Sequence, residues 1–101
     1  MRFLLKATPD AAAFSACVKD GTAEQKMQSI LTEAKPEAAY FVEMDGKRNA
    51  LLIVNIDDVS QLPVLAEPWF LTFNAAVEFH PVMLGEDLAK SNLSEIGSKW
   101  K

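Results

Sequence analysis

The sequence predicts a single α+β domain built on an antiparallel sheet, and three observations lead to that class. Segments that alternate apolar and polar residues, as strands do, are separated by two stretches with helical spacing. Two of the strand segments are joined by Asp45-Gly46-Lys47, a hairpin turn that makes them antiparallel neighbours. The 101 residues are 50% apolar and 24% charged, which is the size and composition of one globular domain.

The first strand is predicted over Arg2 to Ala7, where apolar and polar residues alternate. The helix after it is expected to start at Thr8-Pro9, because threonine can cap a helix and proline suits its first position. The sequence therefore opens with a strand that leads directly into a helical region.

That helical region, Pro9 to about Ala34, is predicted to be two helices. At about 100° per residue, the apolar positions before and after residue 20 would lie on opposite sides of one straight helix. Asp20-Gly21 is the natural break, and Thr22 with Gln25 predicts a capping box that starts the second helix. We expect two short helices with an angle between them.

The middle of the chain predicts two neighbouring strands. Lys35-Pro36-Glu37 ends the second helix, and Ala38 to Met44 alternates as a strand. Beyond the turn, Ala50 to Ile56 (A-L-L-I-V-N-I) is short and apolar on both faces, which predicts a central strand that is buried on both sides.

A third helix and a fourth strand complete the domain. The helix is predicted from Val59 to about Glu67, and Pro68 should break or kink it. Trp69 to Phe73 is expected to follow as an aromatic plug, and Ala75 to Met83 forms the fourth strand. Pro81 has no N–H for the ladder, so this strand should lie at an edge of the sheet.

The end of the chain predicts a helical tail, with apolar residues at Ala89, Leu93, Ile96 and Trp100. Residues 1–85 are thus interpreted as the domain and residues 86–101 as its C-terminal extension. A tail that ends on Trp100 suggests docking on an apolar surface of this chain or of a partner.

This order of elements predicts a ferredoxin-like βαββαβ sandwich, with an antiparallel sheet in the order 4-1-3-2 and helices on one face. The other face would be bare, and either Leu51 with Ile53 or Leu52 with Val54 must point toward it. A second copy packed sheet against sheet is the simplest cover, so we predict a homodimer through the sheet face.

One polar group on this sheet is a candidate for chemistry. In the predicted order, Lys6 falls near Glu78 and His80, with Asn55 and Glu43 farther across. Imidazole exchanges protons near neutral pH, so His80 could act as acid or base, with Glu78 orienting it and Lys6 stabilising an anion. A cross-strand ion pair with a hydrogen-bonded histidine is the commoner use of such residues.

Four other residues are candidates for binding a ligand. Trp69 and Phe73 could line a flat apolar pocket between helix and sheet, Tyr40 could donate a hydrogen bond, and Asn55 is placed with them as a polar contact. Packing of the core is the commoner role of an aromatic cluster at a helix end, and a lone tyrosine on a strand is usually an edge or core residue.

Several functions are disfavoured by composition. The net charge of −4 opposes binding to nucleic acid or to an anionic membrane, and the strand at Ala50 to Ile56 lacks the aromatic platform of an RNA-binding domain. One histidine and one cysteine cannot form a structural zinc site, and no glycine-rich phosphate loop is present. We expect neither a metal nor a cofactor.

The location is expected to be cytoplasmic. The apolar run at the N-terminus stops at Lys6, which is too short for a signal peptide, and no run approaches the ~20 residues of a membrane span. Cys17 has no second cysteine to pair with and lies on a helical apolar stripe, where a small, buried, reduced residue is the ordinary interpretation.

Four segments carry a resemblance to known proteins: K-P-E-A-A-Y-F (Lys35 to Phe41), E-P-W-F-L-T-F-N-A (Glu67 to Ala75), V-E-F-H-P-V-M (Val77 to Met83) and E-D-L-A-K (Glu86 to Lys90). They resemble small uncharacterised bacterial proteins of the dimeric α/β-barrel superfamily. That superfamily includes cofactor-free monooxygenases, isomerases, haem-binding peroxidases and non-catalytic ligand sensors. No catalytic motif transfers residue by residue, so the resemblance implies the fold and the dimer and leaves the activity open.

The expected function is therefore a dimeric barrel protein that binds a small, partly apolar molecule near the fourth strand, between sheet and helices. One alternative is a cofactor-independent monooxygenase or isomerase that uses His80. The other is a non-catalytic interaction module whose tail around Trp100 recruits another protein.

Overall fold

The computed structural model describes all 101 residues and shows an α+β molecule with one four-stranded antiparallel sheet and five helices. The elements in chain order are β1 (Arg2–Thr8), α1 (Ala11–Asp20), α2 (Ala23–Ala34), β2 (Ala38–Met44), β3 (Lys47–Asn55), α3 (Gln61–Phe73), β4 (Ala76–Pro81), α4 (Gly85–Lys90) and α5 (Leu93–Lys99). The strand order is β2-β3-β1-β4, which is the predicted order counted from the other edge.

The register of the central strands separates the two faces of the sheet. Leu5 of β1 lies opposite Leu52 of β3 and Phe79 of β4. Leu5 and Leu52 are fully buried and belong to one core cluster with residues of α1, α2 and α3. The first three helices therefore cover one face of the sheet, as the sequence predicts.

The centre of this core is aromatic. Trp69 and Phe73 are both fully buried, with ring centroids 6.2 Å apart, and the ring of Phe14 lies 5.0 Å from that of Phe73. These spacings are in the favourable range for aromatic pairs, so the cluster adds directional contacts to its large apolar area.

The break between the first two helices at Gly21 is confirmed, but the predicted N-terminal caps at Thr8 and Thr22 are wrong. Gly21 ends α1 with a φ of 80°, a left-handed conformation that glycine adopts at little cost. The cap of α1 is Asp10, whose Oδ2 accepts from the N–H of Ala13 at 3.0 Å. Thr8 instead continues β1 and donates to Asn49 Oδ1 at 2.6 Å.

The capping box at Thr22 and Gln25 does not form. Thr22 has helical dihedrals, φ −101° and ψ −8°, whereas a side-chain cap requires an extended backbone. Its hydroxyl and N–H both donate to Asp20 Oδ1, at 2.6 Å and 3.0 Å. The joint between α1 and α2 is held by this local turn.

The prediction that the third helix breaks at Pro68 is wrong. The helix α3 begins at Gln61 rather than Val59 and continues through Pro68 to Phe73, where Asn74 ends it in a left-handed conformation. An internal proline costs a helix about 3 kcal/mol. Burial of Trp69 and Phe73, one turn apart on the same face, offsets that cost, because each can contribute a few kcal/mol to the core.

The strand β4 is shorter than predicted, and the tail is two helices rather than one. Pro81 is the last residue of β4, at an edge of the sheet as expected. No residue of α4 or α5 is buried, and Trp100 is 84% exposed. The radius of gyration is 17.0 Å, against about 13 Å for a typical 100-residue domain, so the tail lengthens the molecule rather than thickening its core. None of the helices has the length and apolar character needed to cross a membrane.

Candidate functional site

The face of the sheet turned away from α1, α2 and α3 is called here the bare face. Its central residues are Leu4, Leu51 and Ile53, which alternate with the buried Leu5 and Leu52; Leu4 lies opposite Ile53, and Leu51 lies opposite Lys6. All three are only half-buried. Of the two alternatives predicted for β3, the structure selects Leu51 with Ile53.

The edge strand β2 extends this apolar surface. Tyr40, Val42 and Met44 lie on the bare face beside β3, and their exposed fractions are 64%, 38% and 39%. An edge strand with exposed apolar side chains offers both contact area and unpaired backbone groups to another chain.

The predicted polar group assembles on the bare face near its other edge. Lys6 lies opposite Glu78 in register, and its Nζ is 3.8 Å from Glu78 Oε2. Glu78 Oε1 is 2.9 Å from His80 Nε2. One carboxylate therefore contacts both the ammonium and the imidazole, as the alternation of β1 and β4 requires.

In this polar group the imidazole of His80 is oriented by a carboxylate, but the group is open to water. The contact with Glu78 orients the imidazole of His80, and its second nitrogen, Nδ1, makes no hydrogen bond within the chain. However, the side chains of Glu78 and His80 are 55% and 54% exposed. Water competes for every contact at such a site, so on the single chain the group has the character of a surface ion pair.

The other candidates do not join this group. Asn55 is opposite Arg2, four residues or about 13 Å from Lys6 along β1. It accepts from the terminal ammonium at 2.9 Å and donates to Glu37 at 3.3 Å. The hydrogen bond from Arg2 to Glu37 raises the pKa of the guanidinium above its ordinary value. Asn55 therefore belongs to a structural network at the start of β1.

Tyr40 and Glu43 are also separated from His80. Tyr40 is on β2 and His80 on β4, three strand spacings or about 14 Å apart. Glu43 pairs with Arg48 and points to the helix-covered face, so its predicted place across the bare face is wrong. The period of two along a strand decides this, because Glu43 is an odd number of residues from Tyr40.

Trp69 and Phe73 occupy the core instead of lining a pocket. Both are fully buried, and the indole Nε1 of Trp69 has no hydrogen-bond partner. A buried donor without a partner costs about 1–3 kcal/mol, which indicates how strongly the surrounding packing favours this position. Core packing, the commoner role of such a cluster, is what the structure shows.

A cavity of about 740 Å³ lies between the α1–α2 pair and the β2–β3 hairpin. Its apolar wall consists of Phe14, Met27, Leu31, Phe41 and Ala50. It is at the β2 edge of the sheet, whereas the sequence placed a pocket near β4. Met27 and Leu31 lie one turn apart on α2, and their helical spacing alone does not show that they face an open space.

Charged groups surround the apolar wall. The guanidinium carbon of Arg48 is 4.9 Å from the centre of the Phe14 ring, and Nη1 donates to Ser15 Oγ at 3.1 Å. Glu24 and Glu43 also line the cavity. No cluster of three histidine, cysteine or carboxylate side chains is placed to hold a metal ion.

The chain was also compared with known proteins. It matches no protein-family model and has no significant counterpart among curated proteins. The resemblance to the dimeric α/β-barrel superfamily therefore remains a prediction. The cavity and the bare face are the features of the chain that bear on its function.

Proposed function

We propose that this chain is a homodimeric small-molecule-binding protein of the ferredoxin-like, dimeric α/β-barrel type. In this proposal a partly apolar ligand binds between helices and sheet. The cavity of about 740 Å³ carries the proposal, because small-molecule sites are mostly apolar clefts of about 300–1,000 Å³ with a few polar groups.

The exposure of Phe41 supports a ligand site rather than an ordinary surface hollow. Phe41 points toward the helix-covered face, opposite Ala50 in register, yet it is 58% exposed. Ala50 itself is buried, and Met27 and Leu31 face the same space from α2. An apolar molecule in this space would remove apolar area from water at about 25 cal/mol per Å².

A neutral aromatic probe tests the cavity directly. Titration of 3-phenylpropan-1-ol, followed by ¹H–¹⁵N NMR, should shift the amides of Ala23, Leu31 and Ala50 in a saturable way. Met27→Glu should weaken binding by placing charge on the apolar wall. Val64→Glu, at a position of α3 that is 71% exposed, is the matched control and should leave binding unchanged.

Two results would reject the cavity as the site. One is the absence of saturable shifts at millimolar probe. The other is a set of shifts confined to Leu4, Leu51 and Ile53, which would locate the probe on the bare face.

The proposed dimer rests on the bare face. Its half-buried Leu4, Leu51 and Ile53 continue into the exposed Tyr40 and its neighbours on β2, a contiguous apolar surface of a kind that often marks an interface between proteins. The surface lies on one face of one sheet, so two copies can cover it symmetrically with the same residues on both sides.

Sedimentation equilibrium at micromolar concentration tests the dimer. The wild-type protein should have twice the 11.1 kDa mass of the chain. Ile53→Lys should dissociate it, because the new ammonium would be buried in the contact. Val64→Lys should remain dimeric, and a wild-type monomer would end the proposal.

A second candidate function is acid–base catalysis by a cofactor-independent monooxygenase or isomerase. The 2.9 Å contact between His80 and Glu78 favours it, with Lys6 on the same carboxylate. A screen of enolisable and phenolic substrates should then find a turnover that His80→Gln and Glu78→Gln abolish and Lys90→Gln retains. Turnover that survives His80→Gln would remove this candidate.

The tail favours a third candidate, a module that recruits another protein. None of the residues of α4 and α5 is buried, and Trp100 is almost fully exposed. Deletion of residues 93–101 should leave the thermal midpoint and the oligomeric state unchanged if the tail serves a partner. A loss of dimer in the deleted protein would assign the tail to the second copy instead.

A further inference from the structure

The guanidinium of Arg48 is held in place without a charged partner. It stacks on the ring of Phe14 at 4.9 Å and donates through Nη1 to Ser15 Oγ. No other acceptor in the protein takes a hydrogen bond from Arg48, so Nε and Nη2 are free. Although Arg48 is exposed, its contacts with the ring and the hydroxyl favour one orientation of the planar guanidinium, so it loses less conformational entropy on binding an anion than a side chain without contacts would.

The nearest carboxylate in the sheet does not neutralise this charge. Glu43 is the cross-strand partner of Arg48, yet none of its oxygens lies within 4.0 Å of the guanidinium. Opposite charges facing each other across two strands commonly pair. Here the contacts with Phe14 and Ser15 draw the guanidinium toward α1, where it borders the apolar wall of the cavity.

The surroundings limit the charge of what can bind. Glu24 and Glu43 line the same cavity and repel any anion, but at a given place they repel a phosphate or another dianion about twice as strongly as a monoanion. A single carboxylate needs only the one guanidinium, which can hold it with two parallel hydrogen bonds. The wall of Phe14, Met27, Leu31 and Phe41 then receives an apolar body.

We infer that the cavity binds a small monocarboxylate with an apolar body, its carboxylate held by Arg48 and its body against the walls of α2 and β2. The inference rests on the ligand-binding function proposed above and specifies the class of ligand. Arg48 is its anchoring residue, and Phe14 positions the guanidinium.

Three probes of one shape and different charge test the inference: 3-phenylpropanoate, 3-phenylpropan-1-ol and 3-phenylpropylamine. Calorimetric titration of the full-length protein should rank the acid at least tenfold tighter than the alcohol, since hydrogen bonds to charged groups contribute about 1.5–3 kcal/mol. Arg48→Gln should remove that advantage while changing the affinity for the alcohol less than about threefold. Arg48→Lys keeps the positive charge but loses the two parallel N–H donors of the guanidinium, so it should give an intermediate ratio of acid to alcohol affinity.

The results separate this inference from the proposed function. Equal affinity for acid and alcohol, tightest binding of the amine, or an advantage of the acid that persists in Arg48→Gln would overturn the carboxylate assignment and leave the cavity as a binding site. Failure of all three probes to bind would overturn both. The ratio of acid to alcohol in the wild-type protein tests the class of ligand even if a variant does not fold.

Discussion

The two faces of the sheet have similar strand chemistry and different surroundings. Leu52 and Leu51 are adjacent in β3, but Leu52 is fully buried under the helices and Leu51 is only half-buried on the bare face. A strand that is apolar on both sides needs cover on both sides, and one chain supplies only one layer of helices. In the single chain, one apolar face of β3 therefore has no layer of helices over it.

The two faces of the sheet also differ in the residues that they carry. The covered face ends in a closed aromatic cluster around Trp69 and Phe73. The bare face combines aliphatic residues at its centre with a polar group, Glu78 and His80, at one edge. An apolar centre beside a polar rim is the composition that the proposed dimer interface would need.

The largest expected effect is on the aromatic residues of the covered face. Phe73→Ala should lower the free energy of unfolding by about 3–5 kcal/mol, because it opens a cavity in a fully packed core. Tyr40→Ala, on the exposed edge of the bare face, should change it by less than about 0.5 kcal/mol in the monomer. Urea denaturation followed by circular dichroism checks both, and equal losses would contradict the contrast between the faces.

The next largest expected effect is the difference in unfolding free energy between Leu52→Ala and Leu51→Ala. Leu52→Ala should cost about 2–5 kcal/mol at any protein concentration. Leu51→Ala should cost about 1 kcal/mol or less in dilute protein and more as the concentration rises, because dimerisation stabilises the folded chain by mass action. Urea midpoints at two protein concentrations measure this, and a cost for Leu51→Ala that is independent of concentration would indicate that no second copy covers the bare face.

The smallest expected effect concerns the turn between α1 and α2, two of the helices that cover one face of the sheet. Hydrogen bonds from the hydroxyl and the N–H of Thr22 lower the pKa of Asp20 below its ordinary value of 3.8. A carboxylate with a lowered pKa stabilises the fold above pH 3.8, and this contribution disappears as the pH falls through the lower, folded-state value. Asp20→Asn should therefore melt below the wild type at pH 7, with the gap closing in acid.

Thermal midpoints from pH 7 down to pH 2 measure that gap. Thr22→Val, which removes the hydroxyl donor and keeps the carboxylate, should reduce the same pH dependence. A gap between Asp20→Asn and the wild type that stays constant with pH would show that the turn does not depend on the charge of Asp20.

Local sequence patterns were sufficient to predict most of the helices and strands. They were not sufficient to predict the N-terminal caps of the helices or the cavity. The phase of the apolar residues located the break at Gly21, and the hairpin turn set the register of β2 and β3. Pro68 predicted a helix end because an internal proline destabilises a helix. Burial of Trp69 and Phe73 beyond it stabilises the fold by more than that cost. The cavity was missed because it depends on where α2 lies relative to the edge of β2.

The sequence by itself determined the alternation of the strands, which places Glu78 and His80 on one face of β4, because the period of a strand is a local property. The pairing of Lys6 with Glu78 followed only once the strand order had been predicted. Only the tertiary structure decided that Leu52 rather than Leu51 is covered, that Arg48 stacks on Phe14 away from Glu43, and that Phe41 borders an open space. These depend on the placement of a helix layer over a sheet. That placement is set by the packing of residues far apart in the chain, which no local pattern contains.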